Sequence, residues 1–440
     1  MISDRQSQHL ALLERLQGCF LGDPKPDTLP GGRTEALRQL HAFDPASYGR
    51  TRNYLDAAVS RLSPYLRHGM VSINEVRDHL RSRFAHDPIR LEAFFRQLAW
   101  RDFFEKVLTW YGRRLENDIE QPKHGVSRSE QIPPDVLNGD TGLPCVDGML
   151  HELFANGYLH NHARLWFAAY VCHFRGVRWQ EGARLFRQYL YDGDHASNGA
   201  SWQWVEGTFA SKPYFMNKEN IATFSGGKWC NDCSAKCPFD ADYPTLQHRL
   251  FGGSTAPLAS ENETDEPQAD PRPLTCANAD DIGPFTPASD LVWVHDAAMS
   301  WDDEALKANP TAAIVFVFDE PALQAEPWAY HRLGFVLDGL DDLYAHLPNS
   351  IKLTLVGDPA ELLGEIASRM GATTIHVSEH PNPAVVKTID KLRMNLRMVV
   401  HPRPVFADYP QEPKRFSRYW DKVASQVLGY QPNSSKRMHQ

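Results

Sequence analysis

The spacing of apolar residues changes its period once along the chain, near residue 290. Before that point apolar side chains recur at helical spacing, as between Leu91 and Leu108, and long β-branched runs are absent. After it, short β-rich runs alternate with segments of helical period; the runs cover 291–294, 313–318, 352–356 and 373–377. The pattern therefore predicts an all-helical domain followed by a doubly wound α/β domain on a parallel sheet.

The segment between the two regions follows neither period. Residues 251–289 are acidic and rich in Pro, Ser, Thr and Gly, with few large apolar side chains, which predicts a linker. We therefore expect a helical domain over 1–250, this linker over 251–289, and an α/β domain with a C-terminal helical tail over 290–440. Within the first domain a loop is expected at 192–198, with helix resuming near Ser201.

Composition adds limits to this organisation. With 42% hydrophobic and 23% charged residues, the 440-residue chain has the make-up of a soluble globular protein of two or three domains. No apolar run is long enough to span a membrane, and the N-terminus lacks the apolar core of a signal peptide. We expect a cytoplasmic monomer that does not enter a membrane.

The charge is unevenly distributed along the chain. The formal net charge of −9 disfavours a general attraction to nucleic acid, but residues 50–114 carry 13 Lys and Arg against 7 Asp and Glu. Such an excess is typical of a basic face that binds nucleic acid. An Arg-rich, solvated helical surface would produce the same pattern, and the sequence does not separate the two.

Three of the seven cysteines lie together in Cys230-Asn-Asp-Cys233-Ser-Ala-Lys-Cys237-Pro. An odd number of cysteines without an export signal does not suit a disulfide framework. The C-x2-C-x3-C-P spacing is compact enough for one metal centre, and its final Cys-Pro is similar to the end of ferredoxin-type motifs. A zinc site and free thiols are the alternatives.

The stretch from Asp192 to Trp204 concentrates groups that can do chemistry. Asp192 and Asp194 can accept hydrogen bonds from a ring or a ribose and can pair with an Arg, while Asn198 adds an amide. Trp202 and Trp204 offer redox-active or stacking surfaces. An acidic turn that caps a helix and buries two Trp would look the same in isolation.

Three upstream blocks favour the chemical interpretation. They are Ser60–Leu66, Trp100–Phe104 and Leu159–Trp166. In this order and spacing, the four blocks resemble the flavin-binding domain of the photolyase/cryptochrome family, over residues 35–240.

Residues 293–306 resemble the motif W-F-R-x-D-L-R-x-x-D-N-x-A-L that opens the family's α/β domain. The family has that domain first, so the resemblance implies a circular permutation. Because His295, Ala297 and Met299 replace the motif's two Arg and first Asp, the antenna chromophore stays unidentified.

The resemblance implies FAD as the cofactor of the helical domain. Ser60, Ser63 and the backbone of Leu62 would contact its phosphates. Arg164 and Asp192 would form a buried ion pair beside the flavin ring. The full set implied to bind the cofactor is Tyr48, Ser60, Leu62, Ser63, Gln97, Arg101, Asn161, Arg164, Asp192, Asp194 and Asn198.

The resemblance also implies a route for electrons. Asn198 would face flavin N5, and Trp202 and Trp179 match the inner two members of the family's relay of Trp residues. No Trp matches the outer member, so Tyr158 or Tyr111 would have to serve. Core packing is the ordinary use of a buried Trp and is the alternative for both.

A site for damaged DNA is implied as well. Trp100 and Trp204 match the two Trp that hold flipped pyrimidine bases, and Gln97 stands where cyclobutane-dimer enzymes have Glu. Asn161 and Leu165 replace the His pair of (6–4) enzymes, which argues against (6–4) repair. The residues implied to act in catalysis are Trp202, Trp179, Asn198 and Gln97.

The function implied by this resemblance is that of a light-driven, FAD-dependent DNA photolyase. Such a lyase repairs cyclobutane pyrimidine dimers in single- or double-stranded DNA by electron transfer from excited, reduced flavin. The alternative is a cryptochrome-type blue-light photoreceptor without repair activity. Trp100, Trp204 and the basic stretch favour repair, whereas Gln97 and the missing outer Trp leave room for signalling.

The cysteine motif resembles the iron–sulfur branch of this family. In that branch a Ser-Lys-Pro-Tyr sequence, here residues 211–214, precedes the Cys pair, and the first ligand comes from far upstream. Cys145 lies in the matching Thr-Gly-Leu-Pro-Cys segment. The resemblance therefore implies a 4Fe–4S cluster on Cys145, Cys230, Cys233 and Cys237. Zinc on the same ligands, or with Cys276 as the fourth, is the alternative.

Overall fold

The computed structural model describes residues 11–23, 29–123, 128–252, 289–347 and 351–431. Within these ranges the chain forms a helical domain followed by an α/β domain, as the spacing of apolar residues predicts. Most of the expected linker, residues 253–288, lies outside the described residues, and so does Cys276. None of the described helices combines the length and the apolar character that a membrane span requires.

The helical domain follows a short strand, β1 (Phe20–Leu21). Its helices are α1 (Arg33–Ala42), α2 (Pro45–Thr51), α3 (Ser63–Arg67), α4 (Ile73–Arg83), α5 (Glu92–Tyr111), α6 (Pro134–Leu137), α7 (Pro144–Asn156), α8 (Asn161–Ala169), α9 (Trp179–Tyr189), α10 (Ser197–Glu206), α11 (Lys218–Phe224) and α12 (Tyr243–Phe251). Short 3-10 turns cover Pro88–Leu91 and Gly112–Glu116, and a π-helical turn covers Tyr170–Phe174. Side-chain caps begin several of these helices; Ser72, for example, accepts the Glu75 N–H at the start of α4.

The α/β domain is built on a five-stranded parallel sheet. The strands of this half of the chain are β2 (Asp290–Val294), β3 (Ala313–Asp319), β4 (Trp328–Ala329), β5 (Lys352–Gly357), β6 (Thr374–Ser378) and β7 (Arg397–His401). The main sheet has the order β5-β3-β2-β6-β7, while β4 pairs with β1. In the register, Val292 lies beside Ile314 on β3 and His376 on β6. The order reverses between β2 and β6, the point where such sheets open a crevice at their carboxyl ends.

The helices of the α/β domain lie between and after the strands. They are α13 (Glu304–Ala308), α14 (Glu320–Ala325), α15 (Tyr330–Ala345), α16 (Pro359–Met370), α17 (Pro383–Leu392) and α18 (Phe416–Leu428). Each of the four anticipated strands matches an observed strand to within one residue at either end. Strand β7 was not anticipated. Its first residue is exposed and the rest are half-buried, so this edge strand lacks the buried apolar run of the inner strands.

The two domains share one apolar core. Tyr65 of α3 and Phe103 of α5 belong to the same cluster of buried side chains as Val294 and Phe316 of the sheet. A second cluster lies within the helical domain, and a third covers the other face of the sheet against α16 and α17. Because apolar burial is the main favourable term in folding, the shared cluster holds the domains together.

A buried histidine lies at this domain interface. The Nδ1 of His68 is 2.7 Å from the Asp296 carbonyl oxygen, and its Nε2 is 3.2 Å from the carbonyl oxygen of Tyr191. Burial, together with the positive charge of Arg67, lowers the pKa of His68 to about 3. Burial thus favours the neutral imidazole, which can donate to only one of these two carbonyl oxygens.

We predict that His68 makes the protein less stable in mild acid. Below its ordinary pKa of 6.5 the unfolded state binds a proton that the folded state does not take up until about pH 3, so stability falls as pH falls through this window. His68→Gln should reduce the slope of unfolding free energy by about 1.4 kcal/mol per pH unit. Urea denaturation at several pH values measures that slope. The exposed His86→Gln is the control and should leave it unchanged; equal slopes in all three proteins would contradict the prediction.

Candidate functional site

The loop between α9 and α10 carries a buried ion pair. Arg164 on α8 lies with its Nη1 3.0 Å from the Asp192 carboxylate, and its Nε donates to the carbonyl oxygen of Leu159 at 2.9 Å. The Asp192 side chain is only 7% exposed. Burial raises the pKa of Asp192, but the charge of Arg164 and a hydrogen bond from Ser63 outweigh it, so the pKa is lowered overall. The structure thus brings Ser63 to two residues that lie more than a hundred positions further along the chain.

A second cation lies next to this pair. The ring of Tyr158 has the Arg61 guanidinium at 5.5 Å and the Arg164 guanidinium at 5.6 Å. Arg61 has a φ of 52°, which no other non-glycine residue shows with positive sign in the described part of the chain. A left-handed non-glycine residue is a strained conformation that is common at binding sites. The turn from Ser60 to Leu62 therefore directs a guanidinium toward the same neighbourhood as Ser63.

The sequence alone does not predict that Arg61 and Tyr158 lie beside the Arg164–Asp192 pair. Arg61 lies between two predicted phosphate-contacting serines, and that neighbourhood was the only signal available. The resemblance offers Tyr158 for the outer position of an electron relay, and in the structure its ring lies beside Arg164. The cluster combines the cations of Arg61 and Arg164 with the Asp192 carboxylate, the Ser63 hydroxyl and the Tyr158 phenol, and its net positive charge suits a phosphate-bearing ligand.

The second carboxylate of the loop caps a helix. Asp194 accepts hydrogen bonds from the Ser197 hydroxyl at 2.9 Å and from the Asn198 N–H at 3.1 Å. Helix α10 consequently begins at Ser197, and the expectation that helix resumes near Ser201 is wrong by one turn. Asp194 also lies 3.7 Å from Nη2 of Arg101 on α5.

Asn198 is buried with its amide in a defined orientation. Its Nδ2 donates to the Ala183 carbonyl oxygen on α9 at 2.8 Å. Among the described residues no donor reaches its Oδ1, so this oxygen stays available to an N–H of a ligand. Of the other predicted cofactor residues, Tyr48 packs against Phe94 at 5.2 Å and Asn161 is exposed at the first residue of α8.

The two Trp residues predicted to carry electrons are buried in one cluster of the helical domain. Trp202 meets Phe186 edge-on at 5.1 Å and lies so close to Gly182 that a Cβ there would come within 2.1 Å of its ring. The indole N–H of Trp179 donates to Asp118 at 2.7 Å. Both side chains therefore also serve as core, and their electron-relay role stays a prediction.

The two Trp residues predicted to hold flipped pyrimidine bases are half-buried. Trp100 lies on α5 with one ring face stacked on Phe416 of α18, at a centroid distance of 3.7 Å and an angle of 8°. Trp204 on α10 lies 5.5 Å from Tyr214. Both keep part of their surface accessible to solvent, as does Gln97 one turn before Arg101.

The four cysteines are placed in one region without forming a metal site. Cys145 is buried on α7, and burial together with nearby Cys230 and Cys237 raises its pKa to about 12. The described ranges contain no group of three or more His, Cys, Asp or Glu side chains placed to hold a metal ion. The predicted ligand set is thus not assembled here. The segment after α11 packs on the helical domain through Trp229, which lies against Gly148, and through the buried Phe239.

A large cleft lies between the domains. It has a volume of about 1250 Å³ and is bordered by Arg101 and Glu105 from α5 and by Asp302, His380 and Arg403 from the α/β domain. It opens at the carboxyl ends of β2 and β6, where the strand order reverses. Of the predicted cofactor residues only Arg101 borders it, so the cleft and the Arg164–Asp192 cluster are separate features.

Two family models match the chain. The FAD binding domain of DNA photolyase matches residues 94–242, and DNA photolyase matches residues 291–433. The helical FAD-binding domain therefore precedes the α/β domain in this chain.

Curated relatives carry related names. A deoxyribodipyrimidine photo-lyase of Streptomyces griseus is 41% identical over 152 residues, which cover 34% of this chain and 32% of the relative. Another, of Halobacterium salinarum, is 32% identical and covers 44% of each chain. A cryptochrome DASH of Synechocystis sp. is 32% identical over 40% of this chain and 38% of its own. The match spans less than half the length of each of these relatives.

We predict that breaking the Arg164–Asp192 pair costs several kcal/mol. Arg164→Gln leaves the buried Asp192 carboxylate unpaired, which should lower the unfolding free energy by on the order of 3–5 kcal/mol. The paired Asp192 has a lowered pKa, so this difference is present above its ordinary pKa of 3.8 and shrinks as pH falls below that value. Urea denaturation at pH 7 and below pH 4 measures both.

The control is an exposed ion pair of similar distance. Arg178 lies 2.8 Å from Glu130, with side chains 46% and 78% exposed, so Arg178→Gln should change the unfolding free energy by about 0–1 kcal/mol. Equal losses in Arg164→Gln and Arg178→Gln would show that the buried pair has no special role.

Proposed function

We propose that this chain, which belongs to the photolyase/cryptochrome family, is a light-driven, FAD-dependent DNA photolyase that repairs cyclobutane pyrimidine dimers. The observation that carries the proposal is the exposure of Trp100 and Trp204. Both are on helices within the matched FAD-binding domain, and both keep indole surface open to solvent. Large aromatic surfaces that stay accessible beside a cofactor domain suit the stacking of bases.

FAD, when bound, reduced and excited by light, supplies the electron that splits the dimer. The residues present fit this cofactor in two respects. Arg61 lies in the turn between Ser60 and Ser63, and its guanidinium with these two hydroxyl groups is a donor set for a pyrophosphate, while Arg164 pairs with Asp192 as expected beside the flavin ring. Asn198 has its amide nitrogen engaged and its oxygen available, which suits an acceptor for the flavin N5–H.

The remaining predicted cofactor residues have supporting roles in this proposal. Arg101 holds Asp194, and Asp194 in turn begins the helix that carries Asn198. Leu62 is fully buried and anchors the turn that presents Ser60 and Ser63. These contacts orient the groups that would touch the cofactor before it binds.

DNA carrying the lesion is the proposed substrate. The dimer would be flipped out of the helix and stacked on Trp100 and Trp204, while basic residues of the 50–114 stretch attract the phosphates. Gln97 can donate to or accept from a thymine carbonyl or imide but cannot supply a proton, because its side chain is a neutral amide. Gln97 would therefore orient the dimer by hydrogen bonding and would not transfer a proton to it.

We also propose that the domain order is a circular permutation of the family's order. The contacts that dock the domains, such as the ion pair of Arg67 and Asp296 at 2.7 Å, act through space and do not depend on which domain is translated first. Permutation is tolerated where the joined ends lie at the surface and domain cores stay intact. The shared apolar cluster supports an intact core in this order.

We also propose a metal centre on Cys145, Cys230, Cys233 and Cys237. In its favour, Cys145, Cys230 and Cys237 lie close enough for each thiol to influence the pKa of another. Against it, the described residues contain no group placed to hold a metal. A 4Fe–4S cluster, or zinc in its place, would take its ligands from Cys145, Cys230, Cys233 and Cys237.

Metal analysis tests this point directly. If the four cysteines hold a 4Fe–4S cluster, anaerobically purified protein should contain about four Fe per chain and absorb broadly beyond the flavin bands. Cys145→Ser should then lose the iron, whereas the buried Cys19→Ser, which lies in the other core cluster, should retain it. Zinc without iron would identify a structural zinc site, and the lack of both metals would refute the metal centre.

Repair itself is tested with reduced protein and blue light. We expect restoration of an oligonucleotide that contains one cyclobutane thymine dimer, in single- or double-stranded form. Trp100→Ala should weaken binding of that oligonucleotide about tenfold, because stacking on an aromatic is worth roughly 1–3 kcal/mol per base. Trp110→Ala is the matched control, since Trp110 lies on the same helix and is 55% exposed away from this site.

The outcome separates the two functions that the family allows. Absence of light-dependent repair on both forms of DNA, with bound FAD present, would favour a cryptochrome-type photoreceptor. Equal weakening by Trp100→Ala and Trp110→Ala would remove the stacking role of Trp100.

A further inference from the structure

The C-terminal helix of the α/β domain reaches the helical domain beside Trp100. Phe416, the first residue of α18, stacks on the Trp100 ring at 3.7 Å with the two planes 8° apart. This is a close and nearly parallel ring contact, and it joins residues 316 positions apart in the chain. The other rings near Trp100 are tilted or edge-on, with Phe104 at 34° and Phe103 at 89°.

Helix α18 is a fixed part of the fold. Its buried residues are Phe416, Tyr419, Trp420, Val423, Ala424, Val427 and Leu428. They belong to the cluster that both domains share, and the Tyr419 hydroxyl donates to the buried carboxylate of Asp102 on α5. Removing α18 from α5 would expose all of these side chains to water, so the helix does not act as a detachable lid.

The Phe416 contact covers one face of Trp100 and leaves the indole half-exposed. Arg96, on the exposed side of α5, has its guanidinium 5.8 Å from the rings of both Phe416 and Trp420. The exposed edge of this aromatic group thus carries a cation, which suits a phosphate next to a stacked base.

We propose that Phe416 is a positioning residue for the lesion-binding Trp100. By packing flat against one face, it holds the indole in a single orientation, so the opposite surface is ready to receive a flipped base. Preordering a side chain in this way lowers the entropy lost on binding. The α/β domain then contributes to recognition of damaged DNA through α18. This inference rests on the proposed function, because it concerns the same pocket.

The test uses the full-length protein and two substitutions at position 416. Phe416→Leu keeps apolar volume but removes the flat ring, whereas Phe416→Tyr keeps the ring. We expect Phe416→Leu to weaken binding of dimer-containing oligonucleotide about fivefold relative to the undamaged oligonucleotide. Phe416→Tyr should keep the affinity of the wild type. Trp420→Ala is the matched control, since Trp420 is buried on the same helix and contacts Phe416 and Arg96 but makes no ring contact with Trp100 among the described residues.

A double-mutant cycle decides whether Phe416 acts through Trp100. If it does, adding Phe416→Leu to Trp100→Ala should cause no further loss of dimer-specific affinity, because the ring that it positions is already gone. Additive losses would overturn the proposal. So would tighter binding in Phe416→Leu, which would mean that Phe416 occupies the place of the lesion.

A second readout does not depend on DNA. In protein labelled with 5-fluorotryptophan, the Trp100 resonance can be assigned by its loss in Trp100→Phe. It should shift and broaden in Phe416→Leu and stay in place in Trp420→Ala. An unmoved resonance in Phe416→Leu would overturn the stacked geometry. A second outcome tests the proposed function itself. If the resonance shifts in Phe416→Leu but the wild-type protein binds damaged and undamaged DNA equally, the proposed function is rejected, and the role of Phe416 in lesion binding with it.

Discussion

One buried arginine joins the three segments from which the site is made. Arg67 donates through Nη2 to the Asp296 carboxylate at 2.7 Å and through Nε to the Gly193 carbonyl oxygen at 3.1 Å. It thereby links α3, the loop that carries Asp192 and Asp194, and the carboxyl end of β2. Burial alone would raise the pKa of Asp296, but Arg67 and its neighbours hold it well below its usual range. An uncompensated charge at this depth costs about 3–5 kcal/mol, so the three segments stay together.

The α/β domain therefore helps to shape the helical domain's site. Arg332 on α15 is also buried, stacks on Trp328 at 4.1 Å and donates to the same Gly193 carbonyl oxygen at 2.8 Å. Burial, and then the like charge of Arg67, lower the pKa of Arg332 to about 9. Glycine at position 193 allows the loop to approach α9 closely, because a Cβ there would lie only 2.8 Å from the α9 backbone. Two cations on one carbonyl group leave the loop little freedom, and the Asp192 carboxylate is positioned as a result.

The same dependence appears on the other side of the helical domain. Helix α18 continues the α/β domain but buries its apolar face against α5, and its Tyr419 satisfies Asp102. Burial raises the pKa of Asp102 to about 6, so this carboxyl group needs the hydroxyl partner that the other domain supplies. The domains are consequently separate in sequence and in family match, yet interdependent in packing and polar satisfaction.

The sequence alone determined what depends on local period and on residue type. The period of apolar residues predicted the helical and α/β regions and four strands to within a residue. This works because a helix or strand that buries one face needs apolar residues at the spacing of that face. The order of the Trp, Asp and Ser blocks pointed to the family, and Arg164 and Asp192 do lie together. The tertiary structure alone decided the rest. It placed Arg61 and Tyr158 beside that pair and Phe416 on Trp100, and within the described ranges it assembled no group of side chains to hold a metal. These features join residues far apart in the chain through contact, charge and burial, and no local pattern records which distant partner a side chain will meet.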